Sequence, residues 1–215
     1  MAPRTAAVPE AELCSDIVEV ALNRFLHYGY NKTTMAEIAE DIGMSAANLY
    51  RYFDNKQDIA AACCAKSMDE SLARLASVSD TDAPLATQLE RYVFTMIEYT
   101  HELASPESKI GELVAFITRE RSEVVRKKLN VHYALITEML KRSMEKGEIQ
   151  CSSPVACAEQ IYSALVVFDV PLFVGFYSKE EYKKRAAGLV KLLVHGLSTG
   201  TKNTLSAPHQ GNPNE

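Results

Sequence analysis

The sequence contains no tryptophan, and only nine glycines and eight prolines in 215 residues. So little glycine and proline excludes a fibrous or low-complexity chain. Positive charge is also scarce. Lys and Arg number 23 against 28 Asp and Glu, a formal net charge of −5, so the chain cannot coat nucleic acid by bulk charge. A local basic face stays open to it. The five cysteines, Cys14, Cys63, Cys64, Cys151 and Cys157, are odd in number and lack CxxC spacing, which argues against a disulfide framework or a zinc site. Reduced thiols and a cytoplasmic location are expected. Residues 164–177 form the longest apolar stretch, but Asp169 and Pro171 interrupt it. It falls short of the ~20 residues that a membrane helix needs, so no membrane partner is expected. The opening MAPRTAAVPEAEL has no apolar run of the kind found in a signal peptide.

What is present is helical periodicity, carried by a composition that is 47% hydrophobic and 24% charged. No run shows strand alternation, so the expected fold class is all-α. Residues 1–9 read as a polar tail. A first helix is expected over 10–28, where Leu13, Ile17, Ala21 and Phe25 recur every four residues, flanked by Val18, Leu22 and Leu26. Gly29 ends it. Thr34-Met35-Ala36-Glu37 is a capping box opening a second helix, with Met35, Ile38, Ala39 and Ile42 on one face. After Gly43, Ser45 caps a short third helix in which Leu49 and Phe53 point inward. Further helices are expected over about 56–77 and 85–102. Another starts at Ser105-Pro106 and ends near 118. Three more cover 122–145, 154–177 and, from a capping box at Ser178, about 179–197. Residues 199–215, rich in Asn, Ser, Thr, Gly and Pro, read as a disordered tail.

The segment 34–53, two short helices joined by Gly43-Met44, has the helix-turn-helix pattern. Ile38, Ile42, Met44, Leu49 and Phe53 can lock the pair onto the first helix. The opposite face of the second helix is then free for a DNA major groove. At 100° per residue, Ala47 and Arg51 lie opposite Leu49, with Asn48 and Tyr50 on the flanks. Ala46 and Ala47 permit close approach to base edges. Asn48 suits adenine, and Arg51 suits guanine or phosphate. Tyr50, Tyr52 and Lys56 carry donors for phosphate oxygens. Thr34 and Ser45 stand at helix N-termini, where backbone N–H groups attract phosphate. Residues 1–56 hold five basic and eight acidic residues, a net of −3, whereas DNA-binding domains tend to be basic. The acids fall mainly on the first two helices, away from the proposed reading face.

The run GYNKTTMAEIAEDIGMSAANLYRYFDNKQDI closely resembles the DNA-binding signature of the TetR family of bacterial transcriptional regulators. The matching positions are Gly29-Tyr30, Thr33-Thr34, Ile38-Ala39, Gly43-Met44-Ser45, Leu49-Tyr50, Tyr52-Phe53 and Lys56. Met44 stands where many members carry Val, Ala47 where many carry Gly and Tyr52 where many carry His, so the base preference does not transfer. The resemblance implies a three-helix DNA-binding domain over 10–56 and a six-helix effector-binding and dimerisation domain over 57–198. It also implies a homodimer that binds palindromic double-stranded DNA, as a repressor released by a small-molecule effector.

By the same resemblance the last two long helices form the dimer interface, with Leu165, Phe168, Leu172, Phe173, Tyr182, Ala186, Leu189, Val190, Leu193 and Leu197. A four-helix interface of this kind suits a segment, 161–176, that is apolar on nearly all sides. Candidate effector-pocket residues are Tyr92, Met96, Tyr99, Phe116, His132, Tyr133, Ile136, Met139, Tyr162 and Phe168, a mix suited to a largely apolar molecule. Asp169 is expected at an exposed helix edge or paired across the dimer, and His27 at a favourable helix end. Glu98 and His101 form a single Glu-x-x-His, whereas a di-iron bundle needs two such motifs and two more glutamates. No metal, cofactor or catalytic residue is therefore expected. Two rival readings are a helical ligand carrier that does not bind DNA, favoured by the −3 charge, and a helical metalloenzyme.

Overall fold

The computed structural model describes residues 10–79, 81–104 and 107–198. The two expected tails, 1–9 and 199–215, and the Ser105-Pro106 cap lie outside them. Among the described residues the regular structure is entirely helical: α1 (Glu10–Tyr28), α2 (Met35–Asp41), α3 (Ala46–Leu49), α4 (Lys56–Ser79), α5 (Leu85–Leu103), α6 (Ile110–Glu120), α7 (Ser122–Glu145), α8 (Pro154–Leu165) and α9 (Lys179–Ser198). Two 3-10 turns, Val166–Phe168 and Pro171–Phe173, separate α8 from α9. No described helix is long and apolar enough to cross a membrane.

The chain divides into two compact units that do not follow chain order. Residues 1–69 group with 106–125, and 70–105 group with 126–215. In the first unit α1 buries Ile17, Val18, Ala21 and Phe25, the stripe its period prescribes. Gly29 stops the helix with φ +93, and its N–H returns to the Phe25 carbonyl at 3.0 Å. At α2 the capping box is complete. The Glu37 N–H donates to the Thr34 hydroxyl oxygen, and the Glu37 carboxylate accepts the Thr34 N–H at 2.8 Å. The α6 helix belongs to this unit. Its Glu112 accepts the Asn31 N–H at 2.8 Å, and its Phe116 stacks on Tyr30 with ring centroids 4.4 Å apart.

In the second unit α5 and α9 pack together, and one core takes in Leu89, Tyr92 and Met96 of α5, Ile136, Met139 and Leu140 of α7, Ile161 and Leu165 of α8, and Tyr182, Ala186 and Val190 of α9. Four expectations change. The helix expected over 154–177 ends at Leu165. Pro171 brings no N–H, and its ring would clash with the preceding turn of a continuous helix. Asp169, expected at an exposed edge or across a dimer, is instead buried inside its own chain. The α6 helix begins at Ile110, four residues after the proline expected to open it, with no side-chain cap. At α9 only half of the expected box forms: Ser178 Oγ accepts the Glu181 N–H at 3.2 Å, while the Glu181 carboxylate pairs with Arg185.

Candidate nucleic-acid interface

The presenting element is α3, a single turn long. Ser45 caps it by accepting the Asn48 N–H at 3.2 Å. Gly43 makes the preceding corner with φ +74, a conformation L side chains rarely adopt, and the Met44 N–H closes the corner on the Ala39 carbonyl at 2.8 Å. Leu49 is fully buried, while Ala47, Tyr50 and Arg51 are exposed and Ala46 and Asn48 are partly so. The side opposite the anchor is thus the open one. Beyond Leu49 the geometry tightens. The N–H groups of Arg51 and Tyr52 bond to carbonyls three residues back, those of Asn48 and Leu49. Arg51 and Tyr52 therefore sit in the turn after α3 rather than on its cylinder, and the 100° spacing that placed Arg51 gives way to about 120°.

Two expected phosphate donors are differently employed. Lys56 faces into the unit, its ammonium donating to the carbonyls of Tyr30 and Thr33 at 2.8 Å each and lying over the Tyr30 ring. Partial burial lowers its pKa from the ordinary lysine value. An ammonium has three donors, and two are engaged within the chain. The Thr34 hydroxyl donates to Glu37, so the α2 N-terminus is already occupied by its own carboxylate. That hydroxyl is the leading cause holding the Glu37 carboxyl below its usual range.

The acidic balance of this unit is locally offset. Arg24 reaches Glu37 at 2.9 Å and Asp41 at 2.6 Å and covers the Tyr28 ring, tying two of the eight acids to one guanidinium. On the far side Arg121 pairs with Asp58 at 2.5 Å. Asp58 and Asn55 cap the start of α4 reciprocally, at 2.8 and 2.9 Å. Neither Glu112 nor Arg121 was expected to act here. Their partners are distant in sequence, and no local pattern announces such pairs.

Of the expected effector-pocket residues, Tyr92, Met96, His132, Ile136, Met139, Tyr162 and Phe168 come together in the core of the second unit, with Tyr133 packed at its side. Phe116 does not join them; it stacks on Tyr30 in the first unit. Tyr99 lies outside the cluster under the Arg74 guanidinium. At the centre a polar network closes on one atom. Asp169 Oδ2 accepts the Tyr162 hydroxyl at 2.6 Å and pairs with Lys128 at 2.7 Å, and His132 Nε2 lies 3.3 Å away. On its other side His132 Nδ1 meets the Tyr92 hydroxyl at 2.5 Å. Desolvation lowers the His132 pKa to about 4 and raises the Tyr92 and Tyr162 hydroxyls well above the ordinary phenol value. Glu98 of the Glu-x-x-His pair holds Lys179 and Lys183, and His101 bonds to the Ile97 carbonyl. His27 packs edge-on against Tyr28.

The expected interface residues also divide. Leu165, Phe168, Tyr182, Ala186, Val190 and Leu197 are buried in the core of their own chain and are not available to a partner. Leu189 and Leu193 are half-buried, and Leu172 and Phe173 are exposed. The period of α9 was read correctly, but its stripe turns inward, and Leu192, on the other face, is the exposed leucine.

Residues 17–63, which span α1 to the first turns of α4, match the family model of bacterial regulatory proteins, tetR family. This segment is a TetR-family DNA-binding segment. Among curated relatives, the chain is 23% identical over 166 residues to the HTH-type transcriptional regulator YfiR of Bacillus subtilis, covering 75% of this chain and 80% of that one. It is 22% identical over 185 residues to the fatty acid metabolism regulator protein of the same organism, covering 84% and 93%. A TetR-family transcriptional regulator from Mesorhizobium loti shares the fold with a TM-score of 0.73 and 20% identity, over 89% of this chain and 99% of that one. These relatives are transcriptional regulators rather than enzymes.

Proposed function

We propose that this chain is a TetR-family regulator that binds a palindromic operator as a homodimer, is a repressor, and is released from DNA by a small-molecule effector. The observation that carries the DNA reading is the opposition across α3 and the turn that follows it: a fully buried Leu49 on one side, and exposed Ala47, Tyr50 and Arg51 with half-exposed Asn48 on the other. A one-turn helix anchored by a leucine and capped by Ser45 holds its backbone still while small side chains approach base edges. Asn48 is the base reader for adenine, and Arg51 is a reader of guanine or a phosphate clamp. Tyr50 and Tyr52 supply phosphate contacts that fix register.

Two such elements in a dimer enter successive major grooves when they stand one helical turn apart, about 34–36 Å. A ligand with greater affinity for a differently spaced conformer lowers DNA affinity by linkage. The network of Tyr92, His132, Tyr162 and Asp169 inside an apolar wall supports an effector that is mostly apolar with one polar group. The test is selection of bound fragments from genomic DNA by the purified chain. Enrichment of one palindrome whose half-sites are one turn apart is expected. Recovery of no sequence above background would leave the ligand-carrier reading in its place.

A further inference from the structure

Three sulfur atoms meet at the corner where α7 gives way to α8. Met144 stands in the last turn of α7, which Gly147 ends with φ +72. Cys151 lies in the connection, where the neighbouring Gln150 N–H donates to the Leu197 carbonyl at 3.3 Å and ties the segment to the end of α9. Cys157 is on α8, behind the Ser153 cap and Pro154. Cys151 Sγ is 3.5 Å from Met144 Sδ, and the Cys157 thiol is near enough to feel that of Cys151. Cys157 is buried in the core, while Cys151 and Met144 are half-buried at its rim.

We propose that Met144, Cys151 and Cys157 form a binding site for a soft monovalent cation, Cu(I) or Ag(I). Two thiolates and a thioether are the donor set that such ions select. Zinc asks for four N, O or S ligands in a tetrahedron. Among the described residues no third His, Cys, Asp or Glu joins the two cysteines. A redox disulfide would need neither the thioether nor a half-closed site, and it begins from a thiolate. Burial, reinforced by the neighbouring Cys151 thiol, raises the Cys157 thiol above its ordinary value. A cation removes that obstacle, because coordination displaces both thiol protons to solvent with no change in oxidation state. The bound ion would clip the last turn of α7 to the first turns of α8.

The test is an anaerobic titration of the reduced full chain with Cu(I) supplied from an excess of bathocuproine disulfonate, whose colour falls as the protein takes the metal. Uptake of about one Cu(I) per chain is expected, with about two protons released. Cys151→Ser should abolish the uptake, Met144→Leu should weaken it, and Cys14→Ser should leave it unchanged. If Cys157→Ser unfolds the chain, Cys151→Ser and Met144→Leu, at half-buried positions, carry the test. Absence of uptake overturns the proposal, as does equal uptake by Cys151→Ser. A loss of two hydrogens on peroxide treatment in a chain that takes no Cu(I) would make the pair a disulfide instead. The titration contains no DNA, so its outcome is separate from that of operator selection.

Discussion

The Lys56 ammonium donates to the carbonyl oxygen of Tyr30 at 2.8 Å across 26 positions of sequence. With its second bond to the Thr33 carbonyl, it closes the loop between α1 and α2. Lys56→Ala should therefore act first on stability. Hydrogen bonds to a charged group are worth about 1.5–3 kcal/mol. A fall of that size in urea denaturation is expected, with the salt slope of DNA binding nearly unchanged. A slope reduced by about one, with stability intact, would return Lys56 to the phosphate contacts.

Asn48 has its backbone tied to the Ser45 cap, and its amide contacts the Met44 thioether at 3.8 Å. That weak contact yields readily to an adenine edge. Asn48→Ala should lose about 1–3 kcal/mol of discrimination at one base pair of each half-site, with affinity for random DNA retained. Binding across a library of half-site variants decides it. Equal weakening on every sequence would assign Asn48 to phosphate and leave Arg51 as the reader.

Gly29 combines φ +93 with a carboxylate directly above it: a Cβ there would lie 2.8 Å from both Glu112 oxygens. Gly29→Ala should cost about 1–2 kcal/mol for the backbone conformation alone, and more for the contact. Glu112→Ala removes the acceptor of the Asn31 N–H and is destabilising by itself. The double variant should be less destabilised than the sum of the two, with a coupling of about 0.5–3 kcal/mol. Strict additivity in chemical denaturation would show that the carboxylate moves aside without cost.

His132 is neutral in the folded chain down to a pKa of about 4, chiefly through desolvation, against 6.5 for a free side chain. The unfolded state therefore binds the extra proton between these values, and stability falls as pH drops from about 6.5 toward 4. The difference is about 3 kcal/mol in full. Lys128, which faces the same carboxylate, also disfavours a second cation there. His132→Gln cannot titrate, so its unfolding free energy should change less than that of the parent chain between pH 7 and pH 5. Parallel curves for the two proteins would contradict the assignment.

Leu192 is 72% exposed on α9, whereas Leu193 is half-buried against the core. Leu192→Glu should leave the fold intact and give a monomer by sedimentation, because a charge in an apolar seam is costly only once a partner covers it. Leu193→Glu should lower the unfolding midpoint as well. A stable dimer from Leu192→Glu would move the interface off this face of α9.

Much was legible in local sequence. The 3.6-residue period of α1 and the Gly29, Gly43 and Gly147 stops are short-range chemistry, and so are the capping box at Thr34 and the cap at Ser45. Each involves residues at most four or five apart, so the chain itself specifies them. The signature from Gly29 to Lys56 was readable for the same reason: its glycines, caps and anchors are all local requirements of one turn.

Only the tertiary structure decided which faces those helices would use. Periodicity shows that α9 has an apolar stripe but not whether α5 or a second subunit covers it, and α5 covers it. It marked Asp169 as anomalous in an apolar run without showing that Lys128, Tyr162 and His132 would close around it from other segments. Lys56 looked like a phosphate donor, because its sequence neighbours do not reveal two carbonyls more than twenty positions away. Backbone geometry is set by near neighbours in the chain. The fate of a charge or an apolar face is set by what packs against it, and that depends on the whole fold.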